Sequence, residues 1–382
     1  MSLVLLLIFL SPMNMIGYTF QSLLLLLFLI RWMVKEKLEI NFLQFSFAGL
    51  WLTSGMLGIL TGIMGGFDFS SHSLLLFLYV FFSILIFPFK VQDESIISVL
   101  RAIVYLIFLS QIILAFQMGE LSKILESIYS REGQSFKIFN QNEGLSQISW
   151  VRFGGIYINP NLCAKAYTLL LGLFIAINHK KRYSIHLIGL VSIVGLILTG
   201  SRTGLGIGVL MLIIGYGVST LRIFIYGFSL VGIVFLAVLL DLRFVDMETI
   251  KISMSLKLDI IIFYLEYISN EFLLALLFGT GDVSRIEYNS GLRLESVDSE
   301  LGYLLQGMGL LAIPIIGMFI LFGFKVIQTG GRVFMLNLLW MVSSTLLINI
   351  RFSLAYFFCL SIIYIKQSRL PILEEKKCLK SK

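Results

Sequence analysis

Apolar runs of about 17 to 25 residues recur along the whole chain, the length a helix needs to cross roughly 30 Å of hydrocarbon at 1.5 Å per residue. A chain built this way has few folds open to it. Of its 382 residues, 58% are hydrophobic and 13% charged, with a mean hydropathy of +0.95. No water-soluble core can bury that much apolar surface, so lipid must serve as solvent. The runs lack the alternation of a membrane barrel, and the expectation is an all-α polytopic bundle, one integral membrane domain over residues 1–382.

The runs lie near 2 to 12, 17 to 32, 43 to 65, 73 to 89, 97 to 117, 160 to 178, 184 to 200, 204 to 220, 223 to 240, 299 to 323, 333 to 350 and 352 to 366. They predict about 11 or 12 spans, the first in question because Ser11-Pro12 interrupts it after too few residues to cross alone. No basic region precedes Leu3–Leu10 and no small-residue cleavage site follows, so that run reads as an uncleaved part of the bundle.

Basic residues in short turns set the orientation: Arg31, Lys35 and Lys37, then Lys180 to Arg182, Arg222, Lys325 with Arg332, and the tail with Lys376 and Lys377. All fall on one side when spans alternate, and that side is expected to be the cytoplasm. Two longer loops, 118–158 and 241–297, then face outward. In the second, the apolar Leu273–Phe278 followed by Gly279-Thr280-Gly281 predicts short helices at the membrane surface and a tight turn. The net charge of +7 belongs to this topology rather than to nucleic acid. Cys163, Cys359 and Cys378 have neither disulfide nor metal-ligand spacing.

Two polar clusters flank a single basic turn. Asn159-Pro160-Asn161 opens one apolar run and Gly200-Ser201-Arg202-Thr203 closes the next, with His179 to Arg182 between them, so a cytoplasmic turn brings both clusters out together. Asn at the N-cap and Pro at the first helical position start a helix. Such an end, like one begun by Ser201 or Thr203, offers free N–H groups and a positive dipole to an anion. Arg202 sits at the membrane boundary, where a charge either serves a site or snorkels to lipid phosphate. Arg152 approaches the same face. Lys165, two turns into the helix, is either a second cation for a diphosphate or the partner of a polar group inside the bundle. Gly204 and Gly208 suit close helix packing. Lys257, Arg285 and Arg293 lie in the second loop, each with a solvated surface role as the simple reading. Asp298 and Glu300 open the run 299 to 323. Asp298 is either the N-cap of that helix or, with Glu300 as the lesser candidate, a general base for a substrate hydroxyl. His72 and His186 belong to no cluster, and nothing in the sequence asks for a metal or another cofactor.

The ordered set Arg152-x-Gly154-Gly155-x-Tyr157-x-Asn159-Pro160-Asn161, Leu198-Thr-Gly-Ser201-Arg202-Thr203-Gly204, Phe278-Gly-Thr-Gly281 and Asp298-Ser-Glu-Leu-Gly-Tyr303 with Gly307-Met-Gly309 resembles bacterial O-antigen polymerases and ligases of the Wzy/WaaL type. The resemblance covers about the last two-thirds of the chain. It implies a glycosyltransferase of the cytoplasmic (inner) membrane that takes oligosaccharide linked to undecaprenyl diphosphate at the outer face, with a chain-length regulator as a possible partner. Ligases of that group carry His where Asp298 stands and usually Arg near Lys257, so both departures favour a polymerase. The resemblance thus implies Arg202 and Asp298 or Glu300 in catalysis, with Arg152, Asn159, Asn161, Lys165, Ser201, Lys257 and Arg285 holding substrate. A flippase or transporter is the rival from another class, but it should place polar residues near the bilayer midplane.

Overall fold

The computed structural model describes residues 2–11, 22–27, 30, 42–66, 71–88, 96–115, 118–129, 153–157, 159–178, 182–216, 273–282, 300–327, 329–343, 346 and 349–380, and among them every regular element is helical, with no strand. In chain order the helices are α1 (Ser2–Leu10), α2 (Phe42–Met64), α3 (Ser71–Ile86), α4 (Ile96–Ala115), α5 (Gly119–Tyr129), α6 (Pro160–Asn178), α7 (Arg182–Thr199), α8 (Arg202–Tyr216), α9 (Leu273–Phe278), α10 (Glu300–Met308), α11 (Ala312–Val326), α12 (Trp340–Ser343) and α13 (Ile350–Lys380). The run 223 to 240 and most of 17 to 32 lie outside the described residues. Four stretches, Phe42–Met64, Ile96–Leu114, Pro160–Ile177 and Leu301–Val326, are long and apolar enough to cross a membrane.

The bundle is organised around α6. Inside the molecule, 83% of its apolar stretch is buried, against 39–50% for the other three, so α6 is the axis and the others present an outer face. It packs against α4, α7, α8, α13 and a 3-10 segment, Thr329–Leu339. Aromatic contacts tie the outer helices together: Phe47 of α2 meets Phe319 of α11 at 5.7 Å, and Phe319 meets Tyr356 of α13 at 5.4 Å. The outer faces carry exposed Phe45, Leu60 and Ile63 on α2 and Tyr105, Leu106 and Leu109 on α4, apolar surface of the kind that suits lipid and not water.

Three runs depart from the simple spans the sequence predicts. Between 299 and 323 the helix breaks: α10 gives way to a 3-10 turn at Gly309–Leu311 before α11 begins. The cause is a competing set of donors, because the Gln306 and Gly307 carbonyls accept from Thr280 N–H at 2.7 Å and Gly281 N–H at 3.1 Å instead of serving only their own helix. Those donors belong to the turn after α9. The α9 helix forms as expected, but its turn lies buried inside the bundle, not at a surface. It fits because α2 has glycine where it passes: a β-carbon at Gly62 would lie 2.0 Å from the Thr280 carbonyl oxygen.

The run 333 to 350 is the second departure. It is 3-10 over Thr329–Leu339 and only then α-helical in α12. Within it, Asn337 Nδ2 donates to the Phe334 carbonyl at 2.9 Å, a local side-chain bond that competes with the α ladder. At a rise of about 2.0 Å per residue, the 3-10 form also spans more distance per residue than an α-helix. The third departure is α13, which begins at Ile350 and continues well past 366 into the basic tail. The stretch 118–158, expected as a loop, holds a helix, α5, over Gly119–Tyr129.

Candidate functional site

Asn159 starts α6 as the sequence predicts: its Oδ1 accepts from the Asn161 N–H at 2.8 Å, and its carbonyl accepts from Leu162 and Cys163 N–H. Ser201 starts α8 in the same manner, accepting from Gly204 N–H at 3.3 Å through Oγ and from Leu205 N–H at 2.9 Å through its carbonyl. The two starts are neighbours. A β-carbon at Gly204 would lie 2.8 Å from Ala164 Cβ, so the first turn of α8 is pressed against the second turn of α6. Arg202, the first residue of α8, is half-buried there.

A third helix start joins them. Asn349 Oδ1 accepts from Arg351 N–H at 3.2 Å and from Phe352 N–H at 3.4 Å, capping α13. The Phe352 ring lies 5.6 Å from Lys165 Nζ, and the Trp340 ring lies 5.8 Å from the same atom. Trp340 is held by its indole N–H, which donates to Thr168 Oγ1 at 2.8 Å one turn along α6. Lys165 is fully buried between these rings, and ring faces are electron-rich surfaces on which an ammonium can rest away from water. Three positive helix ends and a buried cation therefore share one end of the bundle.

A strap over residues 153–157 closes this end. Phe153 N–H donates to the Leu198 carbonyl of α7 at 2.8 Å, while Gln111 Nε2 of α4 donates to the Phe153 carbonyl at 2.8 Å. Gln111 Oε1 in turn accepts from Tyr167 Oη at 2.7 Å. Gly155 makes the crossing possible. Its φ is +58°, and a β-carbon there would meet Ser110 Oγ and Gln111 Cγ at 2.8 Å each.

The C-terminal end of α1 is satisfied at the same place. A helix that stops at Leu10 leaves its last carbonyls unpaired, and here side chains take them. Arg351 Nε donates to Ile8 O at 2.8 Å, Tyr157 Oη to Phe9 O at 2.5 Å, and Tyr129 Oη to Leu10 O at 2.7 Å. Arg351 Nη2 reaches both the carbonyl and the hydroxyl of Ser11. The guanidinium also balances the negative end of the α1 dipole, which is why a 2% exposed arginine is tolerated. Burial pushes the Tyr157 and Tyr129 hydroxyls up from their ordinary range, with the Arg351 charge opposing, so both remain donors.

Of the residues singled out in the sequence, the structure brings Asn159, Asn161, Lys165, Ser201 and Arg202 to one end of the bundle. Arg152, Lys257, Arg285 and Asp298 lie outside the described residues, and Glu300 opens α10 with its side chain outside them. Lys165 is a buried cation flanked by the Trp340 and Phe352 rings. Arg351 and Asn349 join the site from the structure, and the sequence carries for them the same signal as for Arg202, a capping residue and an arginine between two apolar runs. Among the described residues, no group of three or more His, Cys, Asp or Glu side chains could hold a metal. Comparison with protein-family models, with curated proteins and with solved structures finds no match to this chain.

Proposed function

We propose that this chain is an integral membrane glycosyltransferase that polymerises oligosaccharide repeat units carried on undecaprenyl diphosphate, at the outer face of a bacterial cytoplasmic membrane. The observation that carries the reading is the contact of Gly204 with Ala164, which sets the capped starts of α6 and α8 side by side with Arg202 on one of them. Adjacent positive helix ends beside an arginine suit a diphosphate. The resemblance to polymerases in the Arg152–Asn161 and Leu198–Gly204 stretches supports the same substrate class, and the positions of Asp298 and Lys257 favour polymerase over ligase.

In the reaction, the acceptor sugar hydroxyl attacks the anomeric carbon of the lipid-linked chain. A new C–O bond forms, the bond from that carbon to the diphosphate oxygen breaks, and the hydroxyl proton passes to a carboxylate. Arg202, with Arg152 and with Lys257 or Arg285, stabilises the charge that grows on the departing diphosphate. Asp298, or else Glu300, orients the hydroxyl and takes the proton. The basic residues in the short turns support a reading in which the α6 and α8 starts face away from the cytoplasm.

The test is surface glycan length in cells carrying Arg202→Ala. Single repeat units on the acceptor, with the protein inserted at normal abundance, support the reading. Glycan of normal length removes Arg202 from the mechanism, polymer left on the lipid carrier points to a ligase, and material trapped inside points to a flippase.

A further inference from the structure

Helix α5 divides its circumference into three arcs. Ser122 is buried, Leu125 is partly buried against the core and Tyr129 holds the Leu10 carbonyl, so this arc faces the bundle. Lys123 and Ser127 are exposed on the arc opposite, where Lys123 Nζ pairs with Glu120 at 2.7 Å. Between the two lies a third arc of Leu121, Ile124 and Ile128, exposed by 57%, 53% and 48%. At 100° per residue these three fall within about 60° of one another, midway between the bundle-facing arc and the polar one.

What covers the third arc follows from where α5 begins. It starts four residues after Ala115, the last residue of α4, and α4 contains one of the stretches long and apolar enough to cross a membrane. The exposed side of α4 bears Tyr105, Leu106 and Leu109, so an apolar outer surface leads up to the place where α5 starts. An eleven-residue helix cannot cross a bilayer, whereas an amphipathic helix at the end of a span meets headgroups on one side and acyl chains on the other. We infer that α5 lies flat in the lipid headgroup boundary with Leu121, Ile124 and Ile128 in the acyl region, and so ties the α1–Arg351 junction to the membrane surface through Tyr129. This inference rests on the membrane reading of α4 but not on any glycosyl transfer.

Nitroxide labels on single cysteines test it in the full chain reconstituted in phospholipid nanodiscs. Labels go at positions 121, 124, 128, 123 and 127 and, as a control, at 109, in a Cys378→Ser background where Cys163 and Cys359 are buried. Collisions with oxygen and with a water-soluble nickel chelate report depth. Labels at 121, 124 and 128 should lie about 5–10 Å below the headgroups, rich in oxygen and poor in nickel, while 123 and 127 show the reverse. Nickel access at all five positions means a solvated helix and overturns the inference. Low access of both reagents at 121, 124 and 128 means protein covers the arc and overturns it too, with spin–spin broadening identifying a second copy. Nickel access at 109 as well would overturn the membrane reading of α4 itself, a failure distinct from that of α5.

Discussion

The guanidinium of Arg351 lies 5.0 Å over the ring of Tyr157, and the two side chains serve consecutive carbonyls of α1, those of Ile8 and Phe9. One comes from the start of α13 and the other from the strap before α6, so the end of α1 is where three distant parts of the chain are fastened together. An orphaned buried acceptor costs roughly 1–3 kcal/mol, and Arg351→Ala leaves the Ile8 and Ser11 carbonyls without this donor. The expected loss is about 2–5 kcal/mol, read as a fall in the thermal unfolding midpoint in detergent. Arg351→Lys should recover only part of it, since an ammonium cannot reproduce the planar fork that reaches Ile8 and Ser11 together.

The same junction predicts a pH dependence. Burial raises the folded-state pKa of Tyr157 and Tyr129 above the unfolded value of about 10, with Arg351 opposing. A raised pKa means the folded state holds the proton more tightly. The stability from these hydroxyl donors is then complete below pH about 10 and is lost as pH rises through the folded values. Unfolding midpoints between pH 7 and pH 11 should fall less steeply in Tyr157→Phe, which has no phenol to ionise there, than in the native chain. Equal slopes would show that Tyr157 is not coupled to folding in this way.

Gly155→Ala should be among the most damaging small substitutions in the strap. The left-handed backbone costs an L-residue about 1–2 kcal/mol, and the added methyl meets Ser110 and Gln111 at 2.8 Å. Gln111 also anchors Phe153 and Tyr167, so its displacement loosens the connection between α4, the strap and α6. A midpoint unchanged from the native chain would show that the strap does not cross α4 as described.

Much of this architecture was legible in the sequence because hydropathy acts locally. The run 43 to 65 became Phe42–Met64, and 160 to 178 became α6 from Pro160 to Asn178, since Asn159-Pro160 is a start signal that needs no neighbour. What stayed hidden is set by contacts far along the chain. The break at Gly309 depends on donors from Thr280 and Gly281. The buried turn after α9 depends on Gly58 and Gly62 of α2. Arg351 sat between two runs that each read as a span, and only the position of α1 shows why a charge is held there.

Lys165 separates a structural from a functional reading of its burial. A fully buried ammonium on ring faces is costly to desolvate, and an apolar side chain of similar length fills the same space without that cost. Lys165→Met should therefore insert normally and unfold at the native midpoint or above it, with Trp340 still bonded to Thr168. If the chain is the proposed polymerase and the cation contributes to the field at the starts of α6 and α8, the same variant should lose chain extension by tenfold or more, about 1.4 kcal/mol of barrier, despite its stability. Stability and activity then move in opposite directions. A variant that loses both together assigns Lys165 to packing, and one that keeps native glycan length removes it from the electrostatics of the site.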